Sequence, residues 1–354
     1  RFSYLTSTVD LLIVLLVILL GLFNNVDLWL RDFGFSPMIT GLLFFGVLFL
    51  FQDIIGTPFS LYRTFIIEED FGFNKTTPKT YLVDKLKSYF LLIILGGLIL
   101  SLILFFFNRF GDLAWLYAWI FLSVFLVLIQ PLFTLFIAPM FNTFTPLEDG
   151  GLKNKINTFA TKVNFPISRI DVMDGSRRSS KSNAYFSGLG KNKRIALFDT
   201  LIENHSEDEL LSIIAHEIGH YKKKHNIKGI IMGVVQTGIM FYLLSLFINN
   251  EALFAAFKME NVSIYASLLF FSILYSPIEL IMSFLGNAIS RKHEFEADAF
   301  AKTSIGTGKD LIEGLKKLTV TNLGNLTPHK LTVWLSYSHP PVLNRIKALD
   351  NLGK

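Results

Sequence analysis

Cysteine is absent from the 354 residues. No disulfide can staple the fold, no thiolate can act as nucleophile or metal ligand, and nothing depends on redox state. Charge is also scarce: Asp, Glu, Lys and Arg make up 17%, against about 25% in ordinary soluble domains. Together with 51% hydrophobic residues and 36 Phe, that scarcity excludes a disordered or collagen-like chain and argues against a purely soluble enzyme. The net charge of +5 is modest, and the basic residues avoid the apolar stretches. It reads as a membrane-topology signal, and no nucleic-acid partner is expected. There is no internal repeat and no low-complexity tract.

A membrane-crossing helix needs about 20 mostly apolar residues. Six stretches qualify. They are roughly Leu11–Val26, Phe33–Gln52, Ser88–Asn108, a run inside Leu113–Leu147 ending near Pro139, Gly229–Asn250, and Asn261–Ser290, which Pro277 and Glu279 interrupt. The first lacks a small-residue cleavage site and is not a signal peptide. The chain opens at Arg1 rather than Met, which leaves room for an earlier span. Lys and Arg gather between the second and third stretches (Arg63, Lys75, Lys79, Lys85, Lys87), after the fourth, and at the C-terminus. Only Arg31, Arg109 and Lys258 fall on the other side. The positive-inside rule then places Arg1, Lys354 and the basic connections in the cytoplasm. Polar residues within or beside the spans (Gln52, Asp53, Gln130, Gln236, Glu279) face either an internal cavity or an interface.

Residues 140–226 and 291–354 mix polar and apolar residues with turn signals, as soluble protein does. The expected organisation is therefore spans one to four over 1–138 with a cytoplasmic loop at 61–87. A first polar segment follows over 139–228, then spans five and six over 229–290, and a second polar segment over 291–354.

The segment Ala215-His216-Glu217-Ile218-Gly219-His220 contains HExxH. Positions i and i+4 share a helix face, so His216 and His220 can hold one Zn²⁺ while Glu217 acts as base on water. A helix is well supported. Ser206 and Glu209 form a capping box, Glu207 and Asp208 suit the positive helix start, and Leu210-Leu211-Ser212-Ile213-Ile214 supplies an apolar face. A catalytic zinc usually takes three protein ligands. The metzincin pattern would need Gly and His at positions held by Lys223 and Asn226, so that class is excluded. His225, five residues after His220, points away from its face and reads as solvated. His205, His293 and His329 read as surface residues.

The third ligand is sought in Arg291-Lys292-His293-Glu294-Phe295-Glu296-Ala297-Asp298. Glu294 and Asp298 share one face with the small Ala297 and Ala301, which suits close packing on another helix. Glu294 as ligand with Asp298 behind a histidine is a coherent pair. Glu296 reads as a solvated partner of Lys292. Two spans separate His220 from Glu294, so both return to the same basic side of the membrane.

Further along, Tyr185-Phe186 and Ile195–Phe198 flank the turn Gly188-Leu189-Gly190-Lys191-Asn192 and read as a hairpin. Its exposed edge could take an extended peptide by strand addition, and Asn183 could bond a peptide group there. His339 lies before two prolines, in a loop.

These segments resemble the type I CAAX prenyl proteases, integral-membrane zinc metallopeptidases of the gluzincin kind. The resemblance also runs through Pro58-Phe59-Ser60-Leu61-Tyr62, Ile137-Ala138-Pro139-Met140-Phe141, Gly175–Ser180, Ser182-Asn183-Ala184-Tyr185-Phe186, Leu197-Phe198-Asp199-Thr200-Leu201 and Tyr337-Ser338-His339-Pro340-Pro341. It implies a mainly α membrane protein: a polytopic helical bundle, six spans here and seven in the family, enclosing a chamber, with a cytoplasmic gluzincin-type α+β zinc protease domain. It implies His216, His220 and Glu294 as ligands of one Zn²⁺ per chain, with Glu217 as general base. Asp298 matches a carboxylate sometimes assigned as a proton donor. Asn183 and Ala184 match a substrate-binding edge strand, and His339 and Arg345 match residues near the cleft, with His339 expected as a catalytic residue that stabilises the oxyanion and Arg345 as a substrate-binding one. The implied substrate is a prenylated CAAX protein or peptide that loses its last three residues. The implied location is the endoplasmic reticulum membrane in a eukaryote, or the inner or cell membrane in a bacterium. The alternative is an HtpX-like quality-control membrane protease with the same chemistry. An inactive scaffold or transporter is disfavoured, because Glu217 and the ligand set are intact.

Overall fold

The computed structural model describes residues 2–187 and 193–352. Residues 188–192 and the terminal residues Arg1, Gly353 and Lys354 lie outside the described residues, so the turn and topology readings placed on them do too. Among the described residues, six helices are long and apolar enough to cross a membrane: Phe2–Leu19, Pro37–Asp70, Pro78–Arg109, Gly111–Phe141, His225–Phe247 and Ile264–Ile305. Each of the six stretches read from hydropathy overlaps one of these helices. Most run past the expected ends, because the helical hydrogen-bond ladder continues through charged residues once hydropathy stops.

The first stretch departs from expectation. It is two helices, Phe2–Leu19 and Leu22–Arg31, broken at Gly21. Gly21 takes φ 64°, the left-handed conformation that glycine reaches without a Cβ clash. Lys258 Nζ donates to the Leu19 carbonyl at 2.6 Å and satisfies the helix end. The last helix departs the other way. Ile264–Ile305 runs 42 residues without a break, through Pro277 and past Ser290. The expected boundary at 290/291 therefore falls inside one helix.

The chain forms two compact units. The first comprises Arg1–Asp70, Leu82–Phe125 and Gly233–Ile278. Its core is aromatic and aliphatic: Phe23, Phe44, Leu104, Phe254 and Phe270 form one cluster, and Phe107, Phe241, Leu244 and Phe271 another. Asp53 is partnered within this unit, accepting from the Tyr89 hydroxyl at 2.6 Å and pairing with Lys85 at 2.8 Å. Gln52 donates to Asp10 at 3.2 Å.

The second unit comprises Phe71–Tyr81, Leu126–Met232 and Glu279–Lys354. It holds a four-stranded sheet: β1 (Phe144–Pro146), β2 (Arg169–Met173), β3 (Ala184–Ser187) and β4 (Arg194–Phe198), in the order β1-β2-β4-β3. β2 and β4 are parallel, and the outer strands pair antiparallel to them. Ile195, Ala196 and Leu197 of central β4 are all buried, as expected for a strand covered on both faces. Ile156, Phe165, Leu201, Ile214, Ile218, Leu311 and Leu315 complete this core.

Candidate metal centre

The motif lies on helix Glu207–Lys222. The capping box is present: Ser206 Oγ accepts from the Glu209 N–H at 3.3 Å, and the Ser206 N–H donates to Glu209 Oε2 at 2.9 Å. Leu210, Ile213, Ile214 and Ile218 anchor the buried face. Gly219 allows the next step. A Cβ there would lie 3.1 Å from both Cα and O of Ala297. With Ala297 and Ala301 fully buried, the Ile264–Ile305 helix lies directly against the motif helix. That contact delivers Glu294.

His216 Nε2 and His220 Nε2 are 3.1 Å apart. Glu294 Oε2 is 3.4 Å from the first and Glu294 Oε1 is 3.3 Å from the second. A tetrahedral ion with bonds of about 2.0–2.1 Å separates its ligand atoms by about 3.3 Å, so the three side chains fit a small divalent metal. Glu294 Oε2 is buried without a geometrically sound hydrogen bond, as a ligand atom would be. Charge agrees. Glu217, Glu294 and Asp298 face the single guanidinium of Arg345, and the two excess negative charges match a divalent cation.

Asp298 sits behind His216, with Oδ1 2.9 Å from His216 Nδ1. Arg345 grips the same carboxylate with Nε at 2.8 Å and Nη2 at 2.6 Å. Arg345 Nη2 also lies 3.3 Å from His216 Nδ1, but the Asp298 carboxylate is nearer, and a proton on Nδ1 directed at it leaves the Nε2 lone pair facing the cluster. Without metal, burial disfavours the His216 imidazolium, but the nearby Asp298 and Glu294 carboxylates outweigh burial and push it up to about 9. Burial pushes the Glu217 carboxyl up, against the opposing pull of the two motif histidines. A carboxylate made more basic in this way is suited to take a proton.

A cavity of about 200 Å³ opens on this cluster. It is lined by Asn183, Ala184, His216, Glu217, Glu294, His339 and Arg345, so it gathers most of the candidate residues. Asn183 is exposed and immediately precedes β3, whose outer edge pairs with no strand among the described residues. Its carbonyl accepts from the Phe198 N–H at 3.1 Å. His339 is largely exposed in its loop, with Nε2 3.3 Å from Glu294 Oε1. Arg345 is buried and engaged with Asp298.

Several histidines differ from expectation. His225 is buried, not solvated. Its Nδ1 is 3.1 Å from His220 Nδ1 and its Nε2 is 3.0 Å from Glu296 Oε2. The count of five along one helix fails because the motif helix ends at Lys222 and Lys224 takes φ 59°, turning the chain before a new helix starts at His225. Nothing in a lysine-rich run announces a left-handed residue. Glu296 also lies 3.9 Å from Lys292, as expected, but His225 is its nearer partner. His205 is buried, with Nδ1 3.0 Å from the Leu201 carbonyl. His293 is half-buried and stacks on His225. His329 is exposed, as expected.

Residues 1–143 match the family described as CAAX prenyl protease N-terminal, five membrane helices. Residues 146–352 match Peptidase family M48. The chain is 39% identical to the probable CAAX prenyl protease 1 of Schizosaccharomyces pombe, over 98% of this chain and 75% of that one. It is 35% identical to the CAAX prenyl protease 1 homolog of Homo sapiens, over 90% and 76%. The crystal structure of S. mikatae Ste24p superposes with a TM-score of 0.93 at 36% identity, over 99% of this chain and 86% of that one.

Proposed function

The chain belongs to the type I CAAX prenyl protease family of M48 peptidases, and from that premise we propose that it removes the C-terminal tripeptide of prenylated CAAX proteins with one zinc ion per chain. It is a multi-pass membrane metalloendopeptidase. The observation that carries the site assignment is the convergence of His216, His220 and Glu294 at ligand spacing, with Glu217 lining the same cavity. The quality-control alternative is not favoured, since relatives from yeast to human bear CAAX prenyl protease 1 names.

In this reading His216, His220 and Glu294 hold the ion, which supplies Lewis-acid polarisation of the scissile carbonyl and of water. Glu217 takes a proton from the attacking water and returns it to the leaving amine. Asp298 fixes the His216 tautomer and acts by positioning, while Arg345 balances the buried carboxylates. His339, exposed in its loop and lining the cavity, donates to the developing oxyanion. Asn183 and Ala184 align the peptide along β3 by strand addition. In this reading the site faces the cytoplasm, the side on which the positive-inside rule puts the basic connections, and the membrane is that of the endoplasmic reticulum in a eukaryotic cell.

The test is zinc content together with cleavage of two quenched peptides, one farnesylated with a CAAX end and one unmodified, with Glu217→Gln as control. Zinc near one per chain, cleavage of the farnesylated peptide only, and an inert Glu217→Gln protein are the expected results. Equal cleavage of both peptides would remove the prenyl specificity. Absence of both zinc and cleavage would sink the enzyme assignment.

A further inference from the structure

The two histidine ligands lean on different supports. His216 is backed by Asp298 and Arg345. His220 offers Nε2 to the cluster, and a metal there takes that lone pair and leaves the ring proton on Nδ1. That nitrogen lies 3.1 Å from Nδ1 of His225. Two nitrogens in contact share one proton, so His225 Nδ1 accepts. The proton of the neutral His225 ring is then on Nε2, which lies 3.0 Å from Glu296 Oε2 and donates to it. Each link dictates the next, and donor polarity runs one way from ligand to carboxylate. The His225 ring is also clamped. It is buried, and His293 stacks on it at 3.9 Å between centroids and 10° between planes.

We propose that His225 and Glu296 are positioning residues for the second metal ligand, holding His220 in the tautomer and orientation that metal binding requires. The proposal rests on the reading of His216, His220 and Glu294 as the metal site. Partners of metal-bound histidines are worth about 10–100-fold in affinity, and this chain of two groups does for His220 what one carboxylate does for His216.

The test uses the full chain in detergent. Zinc affinity is read by competition with a chromophoric chelator, and melting temperature is read with and without zinc. His225→Phe, which removes the acceptor, should weaken zinc by about 10–100-fold and shrink the zinc-induced rise in melting temperature while leaving the metal-free value near wild type. Glu296→Ala should weaken zinc less, and Glu296→Gln, which keeps an acceptor oxygen, should recover most of the loss. The double variant His225→Phe/Glu296→Ala should bind no more weakly than His225→Phe alone. Should His225→Phe fail to fold, the two Glu296 variants carry the test, since both leave the ring in place. If wild type binds zinc and neither His225→Phe nor Glu296→Ala alters affinity, the positioning role is overturned. So is it if the metal-free and loaded proteins lose melting temperature equally at constant affinity. If wild type binds no zinc, the metal-site reading fails first.

Discussion

In the apolar unit a Cβ on Gly41 would lie 3.0 Å from Tyr265 Cβ and Cδ1; in the catalytic unit one on Gly219 would lie 3.1 Å from the Ala297 backbone. The same device, a glycine where two helices touch, serves different ends. Around Gly41 the contact closes a core of Phe44, Leu104 and Phe270, and any arrangement that fills the space is adequate. Around Gly219 the contact sets the distance of Glu294 from His216 and His220, at which a few tenths of an ångström would decide whether a metal fits. Packing that only excludes solvent tolerates adjustment, whereas packing that aims ligands does not.

The largest effect is expected from Glu217→Gln, which touches neither contact. Peptide cleavage should fall by about 10²–10⁴-fold in kcat with zinc content unchanged, measured by steady-state kinetics and elemental analysis. Asp298→Ala should follow. It removes the support of His216, costing about 10–100-fold in zinc affinity, and it takes from the buried Arg345 its two shortest bonds while Glu294 Oε2 stays at 3.4 Å, costing about 1–3 kcal/mol in stability. Chelator competition and thermal melting would read the two losses separately.

Gly219→Ala against Gly41→Ala tests the comparison itself. Each overpacks a helix contact at about 1–3 kcal/mol and should lower the melting temperature. Only Gly219→Ala should weaken zinc binding; equal zinc affinity in the two variants would break the distinction.

The smallest effect is a proton count. In metal-free protein His216 is held at about 9, above its ordinary 6.5, so it is protonated at pH 7. Zinc must displace that proton, and calorimetry in buffers of different ionisation enthalpy should find release of about one proton per ion. Zinc affinity should therefore climb with pH and level off above about 9. For metal-free protein the sign reverses. The raised value stabilises the fold fully below the ordinary histidine range, and that contribution is lost as pH rises through about 9.

Much of the architecture was legible in the chain because its signals are local. Hydropathy runs marked all six spans, and Ser206 with Glu209 marked the start of the motif helix. The i, i+4 spacing placed His216 with His220 and Glu294 with Asp298. Small Ala297 and Ala301 correctly announced a close helix contact. The break at Gly21 was not foreseen, since a glycine in an apolar run need not leave the helix. His225 was missed because its place depends on Lys224 adopting a left-handed turn, for which lysine carries no preference. Arg345 gave no sign that it would be buried against Asp298, because that pairing joins residues 47 positions apart.

By itself the sequence determined the class of molecule: apolar runs of spanning length, no thiol chemistry, and a helix whose HExxH spacing can offer two histidines to a metal with a carboxylate beside them. These follow from composition and short-range periodicity, which act within one element. Only the tertiary structure decided which partner each ligand leans on. The contacts of His216 with Asp298 at 2.9 Å, of His220 with His225 at 3.1 Å and of His225 with Glu296 at 3.0 Å each join separate helices. No spacing along a chain encodes those distances; packing sets them.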